Sequence, residues 1–388
     1  MTTPSRLTIL CAGMLAADRS HGGASWAVLQ YLLGFRQLGH QVYFVEPIAA
    51  SKLRPGGAPL VRTAAGLRFQ RLAAAFEYTQ RAALLLEGTT ETVGLSYGTL
   101  REVAERTDVL VNISGMLTDE ALLQPIARRL YLDLDPGFNQ VWHASREVDR
   151  HFDGHTHFAT VGLRIGRPDC PVPTCGRTWI TTCPPVVLAH WPVARGWTRN
   201  AFTTVANWRS YGSVYYGDLF LGQKAHSLRP LIELPKRTET RFELALAIHP
   251  TEPDLAELRQ NNWNLIDPRR AAGTPGSYRS FISNSRGEFG IAKSGYVATR
   301  SGWFSDRSAC YLAAGRPVLA QDTGFAPMLP TGEGLIAFKS QADALAGLDA
   351  IQANYARHRD AARAIAEQHF DSKQVLTRLI DKVQAAPS

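Results

Sequence analysis

Cysteine is scarce in this chain: Cys11, Cys170, Cys175, Cys183 and Cys310 are all it has in 388 residues. An odd, sparse set in a long chain does not build the disulfide framework of a small secreted domain, so free thiols are expected. Long hydrophobic runs are missing too. No stretch approaches the roughly 18 consecutive apolar residues that a membrane span requires, and Met1 to Arg6 leads into a strand-like segment without a signal-peptide pattern. A soluble, cytoplasmic protein with no membrane span is therefore expected. Low-complexity tracts and solenoid-period repeats are absent. So is the G-x-G-x-x-G dinucleotide pattern, which argues against NAD or FAD.

Charge of one sign is only mildly in excess. Lys and Arg number 42 against 34 Asp and Glu, a formal net charge of +8, which suits phosphate-bearing ligands, acidic surfaces or nucleic acid. The surplus is spread along the chain, however, without the basic and aromatic clusters that stack on bases, so no nucleic-acid partner is expected. What is present is ordinary for a folded protein, with 45% hydrophobic and 20% charged residues. At about 100 to 200 residues per domain, the length implies two or three domains.

The chain alternates between two periodicities. Leu7–Ala12 reads as a strand, Trp26, Leu29, Leu32, Leu33 and Leu38 recur at helical spacing, Gly39 stops that helix, and Gln41–Glu46 alternates as a strand. A helix over Phe69–Leu86 and strands Val109–Ile113 and Arg129–Asp133 continue the series. From about Phe138 to Trp197 no period is sustained, which places irregular loops and a domain junction there. A second series follows: strands Phe202–Ala206, Phe242–Ile248, Pro317–Gln321 and Leu335–Phe338, and helices Lys224–Leu234, Pro253–Asn261, Tyr278–Ser285 and Asp306–Ala314. The tail is helical, with two helices in Ala342–Gln368 and a last one over Lys373–Val383 capped by Asp371. Strands alternating with helices imply α/β architecture with two Rossmann-like, doubly wound domains facing each other. The expected limits are 1–195 and 196–370, with 371–388 as a helix that packs back on the first domain.

In such sheets ligands sit at the carboxyl ends of strands, near helix N-termini. Two segments occupy such places. Asp18-Arg19-Ser20-His21-Gly22-Gly23-Ala24 joins the first strand to the first helix, and its paired glycines permit close approach of a ligand or of another backbone; a tight turn that binds nothing accounts for them equally well. Ser301-Gly302-Trp303-Phe304-Ser305-Asp306-Arg307-Ser308 precedes a helix ending Ala313-Ala314-Gly315-Arg316-Pro317-Val318, followed by Gln321-Asp322-Thr323-Gly324. Its small and acidic residues can cap the helix or meet a phosphate or ribose.

As an ordered set these motifs resemble the GT-B glycosyltransferases. Gly22-Gly23-Ala24 with Gly39-His40-Gln41-Val42 is similar to the first unit of that superfamily, and Ala314-Gly315-Arg316-Pro317-Val318 with Asp322-Thr323-Gly324 is similar to its distal half. The resemblance implies an acceptor in the N-terminal half and a nucleoside-diphosphate sugar, UDP- or dTDP-linked, in the C-terminal half. It puts Arg209 and Lys224 on the donor diphosphate, with Gly22, Gly23, Gly302, Ser305, Asp306, Ser308, Asp322 and Thr323 as further donor contacts. It implies no cofactor beyond the sugar nucleotide. One departure stands out: where retaining members carry two glutamates beside this loop and helix, this chain has Gly302 and Cys310. Transfer to a small-molecule or natural-product acceptor is the activity implied; a nucleotide-sugar 2-epimerase or an inactive nucleotide-sugar-binding protein shares the same fold.

Glycosyl transfer needs a stabilised diphosphate leaving group and, on an inverting route, a base for the acceptor hydroxyl. His21, just after the first strand, suits the second task, though a loop histidine also serves as a helix cap. Asp133 and Asp135 at a strand end are alternative bases or orienters; their alternation puts both on one face, where like charge raises one pKa, while Asp135-Pro136-Gly137 also reads as a plain turn. Cys170, Cys175 and Cys183 with His155, His157 and His190 supply enough ligand types for zinc but lack a close Cys-x-x-Cys pair, so no metal is expected. Trp142, Trp179, Trp191 and Trp197 gather in the irregular middle, available for stacking on an acceptor or for core packing.

Overall fold

The computed structural model describes residues 6–17, 22–145 and 148–385. The first half opens with β1 (Thr8–Ala12), α1 (Gly22–Gln37), β2 (Gln41–Ile48), α2 (Ala64–Ala75), β3 (Ala82–Leu86), β4 (Thr92–Gly94) and α3 (Tyr97–Glu105). It continues through β5 (Val109–Ile113), α4 (Glu120–Leu123), β6 (Arg129–Asp133), α5 (Phe138–Ser145), β7 (His157–Thr160) and β8 (Trp179–Thr181). These strands form one eight-stranded sheet in the order β4-β3-β2-β1-β5-β6-β7-β8, in which only β4 runs antiparallel to its neighbour. Strands at its centre, such as Val-Leu-Val-Asn-Ile in β5, are buried along their whole length because helices cover both faces.

The second half comprises β9 (Arg199–Asn207), the hairpin β10 (Val214–Tyr216) and β11 (Leu219–Leu221), α6 (Lys224–Leu228), β12 (Phe242–Ala247), α7 (Asp254–Gln260), β13 (Asn264–Ile266), α8 (Pro268–Ala272) and α9 (Pro275–Ser283). Next come β14 (Ser285–Gly290), α10 (Ser294–Thr299), α11 (Asp306–Ala313), β15 (Val318–Gln321), β16 (Leu335–Phe338), α12 (Gln341–Ala353), α13 (Tyr355–Ile365) and α14 (Ser372–Ala385). Its six-stranded sheet, β13-β12-β9-β14-β15-β16, is parallel throughout. That is the Rossmann order, with its switch point between β9 and β14.

Several expected elements are corrected. The helix expected over Phe69–Leu86 ends at Ala75, and Ala82–Leu86 is the strand β3; a short continuous apolar run reads equally as buried strand or helix. The helix expected over Lys224–Leu234 is α6 followed by a 3-10 turn, Arg229–Leu231, because Pro230 cannot donate its share of the ladder. The middle expected to be irregular contains α5, β7 and β8. Strand β14, Ser-Arg-Gly-Glu-Phe-Gly, lies centrally in its sheet and was hidden by its glycines and by a glutamate facing the interior.

The two halves meet along α1. A Cβ on Gly22 would lie 2.2 Å from the Thr274 carbonyl oxygen, and the Trp26 indole donates to the Pro275 carbonyl at 2.8 Å. Trp191, fully buried, packs its ring against Trp26 and Tyr278. At a second joint, the backbone N–H groups of Leu163 and Arg164 donate to the carbonyls of Gly302 and Ser301. The chain then returns: the Val186 N–H donates to the Phe370 carbonyl and the Ser372 N–H to the Val186 carbonyl, and α14 packs on α1, where Gly34 admits Leu376. Among the described residues no helix is long and apolar enough to cross a membrane.

Candidate functional site

A cavity of about 610 Å3 opens between the halves. Its floor is the carboxyl end of the second sheet, Val205-Ala206-Asn207 of β9 and Ala247 of β12, and its far wall is the first turns of α1, Gly23, Ala24 and Ala27. Lys224 at the start of α6, Lys293 after β14, Asp306 and Arg307 at the start of α11, and Pro268, Arg269 and Ala272 of α8 complete the lining with Tyr278. Local sequence explains these placements. Ser305 caps α11 by accepting from the Arg307 N–H, and Asp267 caps α8 with Pro268 at its first position, so both helices start at the cavity.

The cations around it differ in how they are held. Arg307 and Glu288 are both buried; the guanidinium donates to Glu288 at 2.5 Å and to the Val205 carbonyl at 2.9 Å. Lys293 is buried, and its ammonium meets both Asp135 oxygens at 3.1 and 3.0 Å, an ion pair across the two halves. The Arg269 side chain is exposed at the rim. Lys224 is pushed down to about 7 by desolvation and by the positive charges of Arg307 and Lys293. Burial raises the Asp306 carboxyl despite the nearby Arg307. The floor is thus a positive site in which Lys224 gains most from an arriving anion.

A second cavity, about 510 Å3, lies at the carboxyl ends of β1, β2, β3 and β5. Met14, Ala17, Pro47, Ile48, Ala49, Ala64, Ala65 and Met116 make most of its wall, with Lys52, Arg54, Arg68 and Glu87 as its charged residues. Ala17 borders this cavity and Gly23 borders the first.

The residues singled out in the sequence fall into three groups. Lys224, Asp306 and Gly23 line the first cavity, with Gly22 beside it at the contact with Thr274. Ser305 and Ser308 are buried in α11 or its cap. Arg209 does not line it: its guanidinium is bound to Glu252 at 3.0 and 3.1 Å and is 40% exposed. Gly302 lies at the second joint, and Asp322 and Thr323 brace the loops behind it. Gly302 has φ +74° with Arg164 against it, Asp322 accepts from the Gly324 and Ala326 N–H groups, and Thr323 donates to the Trp303 carbonyl at 2.5 Å. His21 lies outside the described residues.

The two aspartates do not share a face environment as expected. Asp133 is fully buried and accepts from Asp135 N–H, Asn139, Gln140 and Thr160; its carboxyl is raised by burial, with those donors opposing, rather than by Asp135. Asp135 points to the other half. Burial pushes its carboxyl up, but Lys293 and the hydroxyls of Tyr211 and Tyr296 more than offset this and hold it below the usual range. Asp133 is closed off from an acceptor, while the Asp135 carboxylate, 23% exposed, is engaged by Lys293 and the two tyrosines.

Among the described residues no three potential ligands converge on a metal position. Cys170 and Cys175 donate to the Thr299 and Gln140 carbonyls respectively, and His155 bonds Asn112 and the His151 carbonyl. Trp179 and Trp191 are core residues, and neither cavity is lined by tryptophan. Sequence reasoning missed Arg269, Lys293 and Arg307 as site residues. The Asp267-Pro268 helix start signalled the first, and Arg307 stood inside a segment already singled out; nothing marked Lys293, which follows the strand that was itself missed.

Two Rossmann-like sheets facing across a cleft, with a helix returning from the end of the chain to the first half, define the GT-B fold, and this chain has it. Among solved structures it is similar to an alpha-glucosyltransferase in complex with UDP and a 13-mer DNA containing an A:G mismatch, with 12% identity over 97% of this chain and 99% of that one and a TM-score of 0.61. It is similar to Anabaena HepE in complex with UDP and glucose (12% identity, 98% and 100% coverage, TM-score 0.56). It is also similar to the pneumococcal O-GlcNAc transferase GtfA in complex with UDP and GlcNAc (10% identity, 98% and 99% coverage, TM-score 0.56). No family model matches the chain, and no curated protein matches its sequence.

Proposed function

We propose that the protein is a glycosyltransferase that moves a sugar from a UDP-linked donor, held in the 610 Å3 cavity, to a small-molecule acceptor in the 510 Å3 cavity. The observation that carries this reading is the group of cations at the carboxyl ends of β9 and β12, facing the glycine-rich start of α1. Three solved structures of the same fold hold UDP. Residues 1–195 form the acceptor half in this reading, residues 196–370 the donor half, and residues 371–388 the returning segment.

In transfer, the bond from the sugar's anomeric carbon to the diphosphate oxygen breaks and a bond to the acceptor oxygen forms. Lys224, Lys293, Arg307 and Arg269 surround the place where the leaving diphosphate gathers charge, and such preorganised cations are worth more in a site from which water is excluded. On an inverting route the acceptor proton passes to a base. His21, which the sequence places between Ala17 and Gly23, is the residue we assign to it.

The acceptor cavity is mostly apolar, with Lys52 and Arg54 exposed beside it, so the acceptor we expect has an apolar body and an anionic group. Incubating the protein with UDP-glucose and a pool of hydroxylated aromatic carboxylic acids and their methyl esters, both of which keep an acceptor hydroxyl, followed by mass spectrometry, tests this. The free acids should be glycosylated in preference to the esters, and Lys52→Ala with Arg54→Ala should abolish the preference. Release of an epimerised sugar nucleotide without any acceptor would favour the 2-epimerase instead.

A further inference from the structure

Glu46 takes no part in the chemistry above, yet it is a buried carboxylate bonded to the stretch of chain that borders the acceptor cavity. It stands near the carboxyl end of β2 and is completely buried. Its Oε1 accepts from the N–H groups of Ala16 and Ala17 at 2.9 and 2.7 Å, and its Oε2 accepts from Ala16 at 2.9 Å. The carbonyl groups of the same three-residue stretch are held from elsewhere. Arg68 of α2 donates to the Ala16 carbonyl at 2.5 Å and to that of Ala17 at 3.5 Å, and Ser25 of α1 donates to that of Leu15 at 2.8 Å. Residues 15–17 are thus fixed through their N–H groups by β2 and through their carbonyls by α1 and α2. Ala17, the last of them, is part of the wall of the acceptor cavity.

We infer that Glu46, in its ionised form, is a positioning residue: its carboxylate sets residues 15–17, and through Ala17 the wall of the acceptor cavity that places the acceptor for transfer, without touching either substrate. This rests on the transferase reading above. A carboxylate offers only acceptors to a stretch that offers only N–H donors toward it; adding a proton turns one oxygen into a donor facing donors, and the clamp loosens. A displacement of about 1 Å near reacting atoms costs on the order of a hundredfold in rate.

The charged groups around it set where that proton arrives. Burial raises the Glu46 carboxyl to about 7, against the N–H groups of Leu15, Ala16 and Ala17 and the charge of Arg68, the charged side chain that acts on it from α2. The sign for stability is opposite to the sign for function. A carboxyl raised in the folded state binds its proton more tightly there than in the unfolded chain, so stability from this group falls as pH rises from its ordinary value of about 4.5 toward about 7. Function requires the ionised form that folding disfavours.

Glu46→Gln keeps the shape and removes the charge. Turnover is read as UDP release from UDP-glucose with water as acceptor, between pH 5.5 and 8.5, and UDP affinity is read separately by calorimetry. The ratio of wild-type to Glu46→Gln kcat, in which any titrating base cancels, should be near one at the acid end and rise roughly tenfold or more at the alkaline end. UDP affinity of the two proteins should agree within about twofold, and Glu46→Gln should melt no lower than wild type at pH 8. A ratio that stays flat across this range would overturn the inference. Independently of turnover, the Ala16 and Ala17 amide resonances of alanine-labelled wild type should titrate together with a midpoint near 7 and should not do so in Glu46→Gln; amides that do not move would overturn the clamp. Absence of UDP binding to either protein would instead sink the transferase reading, leaving the amide titration to decide the clamp.

Discussion

Lys224 carries the most specific electrostatic signature in the molecule. Its amine is held at about 7, by burial first and then by Arg307 and Lys293. A diphosphate entering the cavity replaces that repulsion with attraction, so the ammonium form is stabilised in the complex and binding takes up a proton. The affinity for UDP-glucose, whose diphosphate is esterified at both ends, should be full below pH 7 and fall by up to tenfold per pH unit above it, until the pKa of the complex is reached. Calorimetric titrations at pH 6.5, 7.5 and 8.5 check this, and Lys224→Met should flatten the profile. At this scale the sequence was half legible. Lys224 was pointed to by the resemblance to the GT-B glycosyltransferases and Asp306 by the small, acidic residues at a helix start, whereas Arg209 occupied the right stretch of chain but is drawn to Glu252. The Asp135–Lys293 pair joins residues 158 apart in sequence, and no local pattern announces such a contact.

At the scale of elements, the decisive feature is the start of α1. Gly22 is there because α1 and the turn between α8 and α9 pass so closely that a methyl group would meet the Thr274 and Ala272 carbonyl oxygens at 2.2 and 2.7 Å. These are backbone atoms, so the elements themselves must move apart. Gly22→Ala should therefore lower stability by about 1–3 kcal/mol and weaken UDP-glucose binding, as read by denaturant unfolding and by calorimetry. Gly98→Ala is the matched control: Gly98 lies in α3, where an added methyl would meet only the Ser96 hydroxyl, at an ordinary 3.9 Å, and removing a helical glycine should leave stability unchanged or slightly raised. The paired glycines were visible in the sequence, but whether they serve a ligand or another backbone was not, and the structure shows Gly22 serving the second purpose. Elements with strong periods, such as β5, β6 and β16, were read to the residue. Strand β14 was not, since Gly287 and Gly290 dilute its pattern and its Glu288 faces a partner, Arg307, that only folding supplies.

For the whole molecule, function depends on two sheets placed so that their carboxyl ends confront each other. Trp26, Trp191 and Tyr278 hold the contact at α1, the Leu163–Gly302 and Arg164–Ser301 backbone bonds hold the second joint, and α14 ties the end of the chain to the first half. The modest net charge of +8 acts locally, where Lys224, Lys293, Arg269 and Arg307 share one cavity with a single unpaired acid, Asp306, among the groups lining it. The alternation of strands and helices made this architecture legible from the sequence, because each half repeats a simple unit; the hairpin and the two joints, built from non-local contacts, were not. The central claim is that this cavity grips a nucleoside diphosphate. Calorimetric titration of UDP into wild type and Lys224→Met at pH 7 tests it most directly: saturable one-to-one binding to wild type, weakened at least about tenfold in Lys224→Met, is the predicted result. No binding to wild type, or equal affinity in the two proteins, would contradict it.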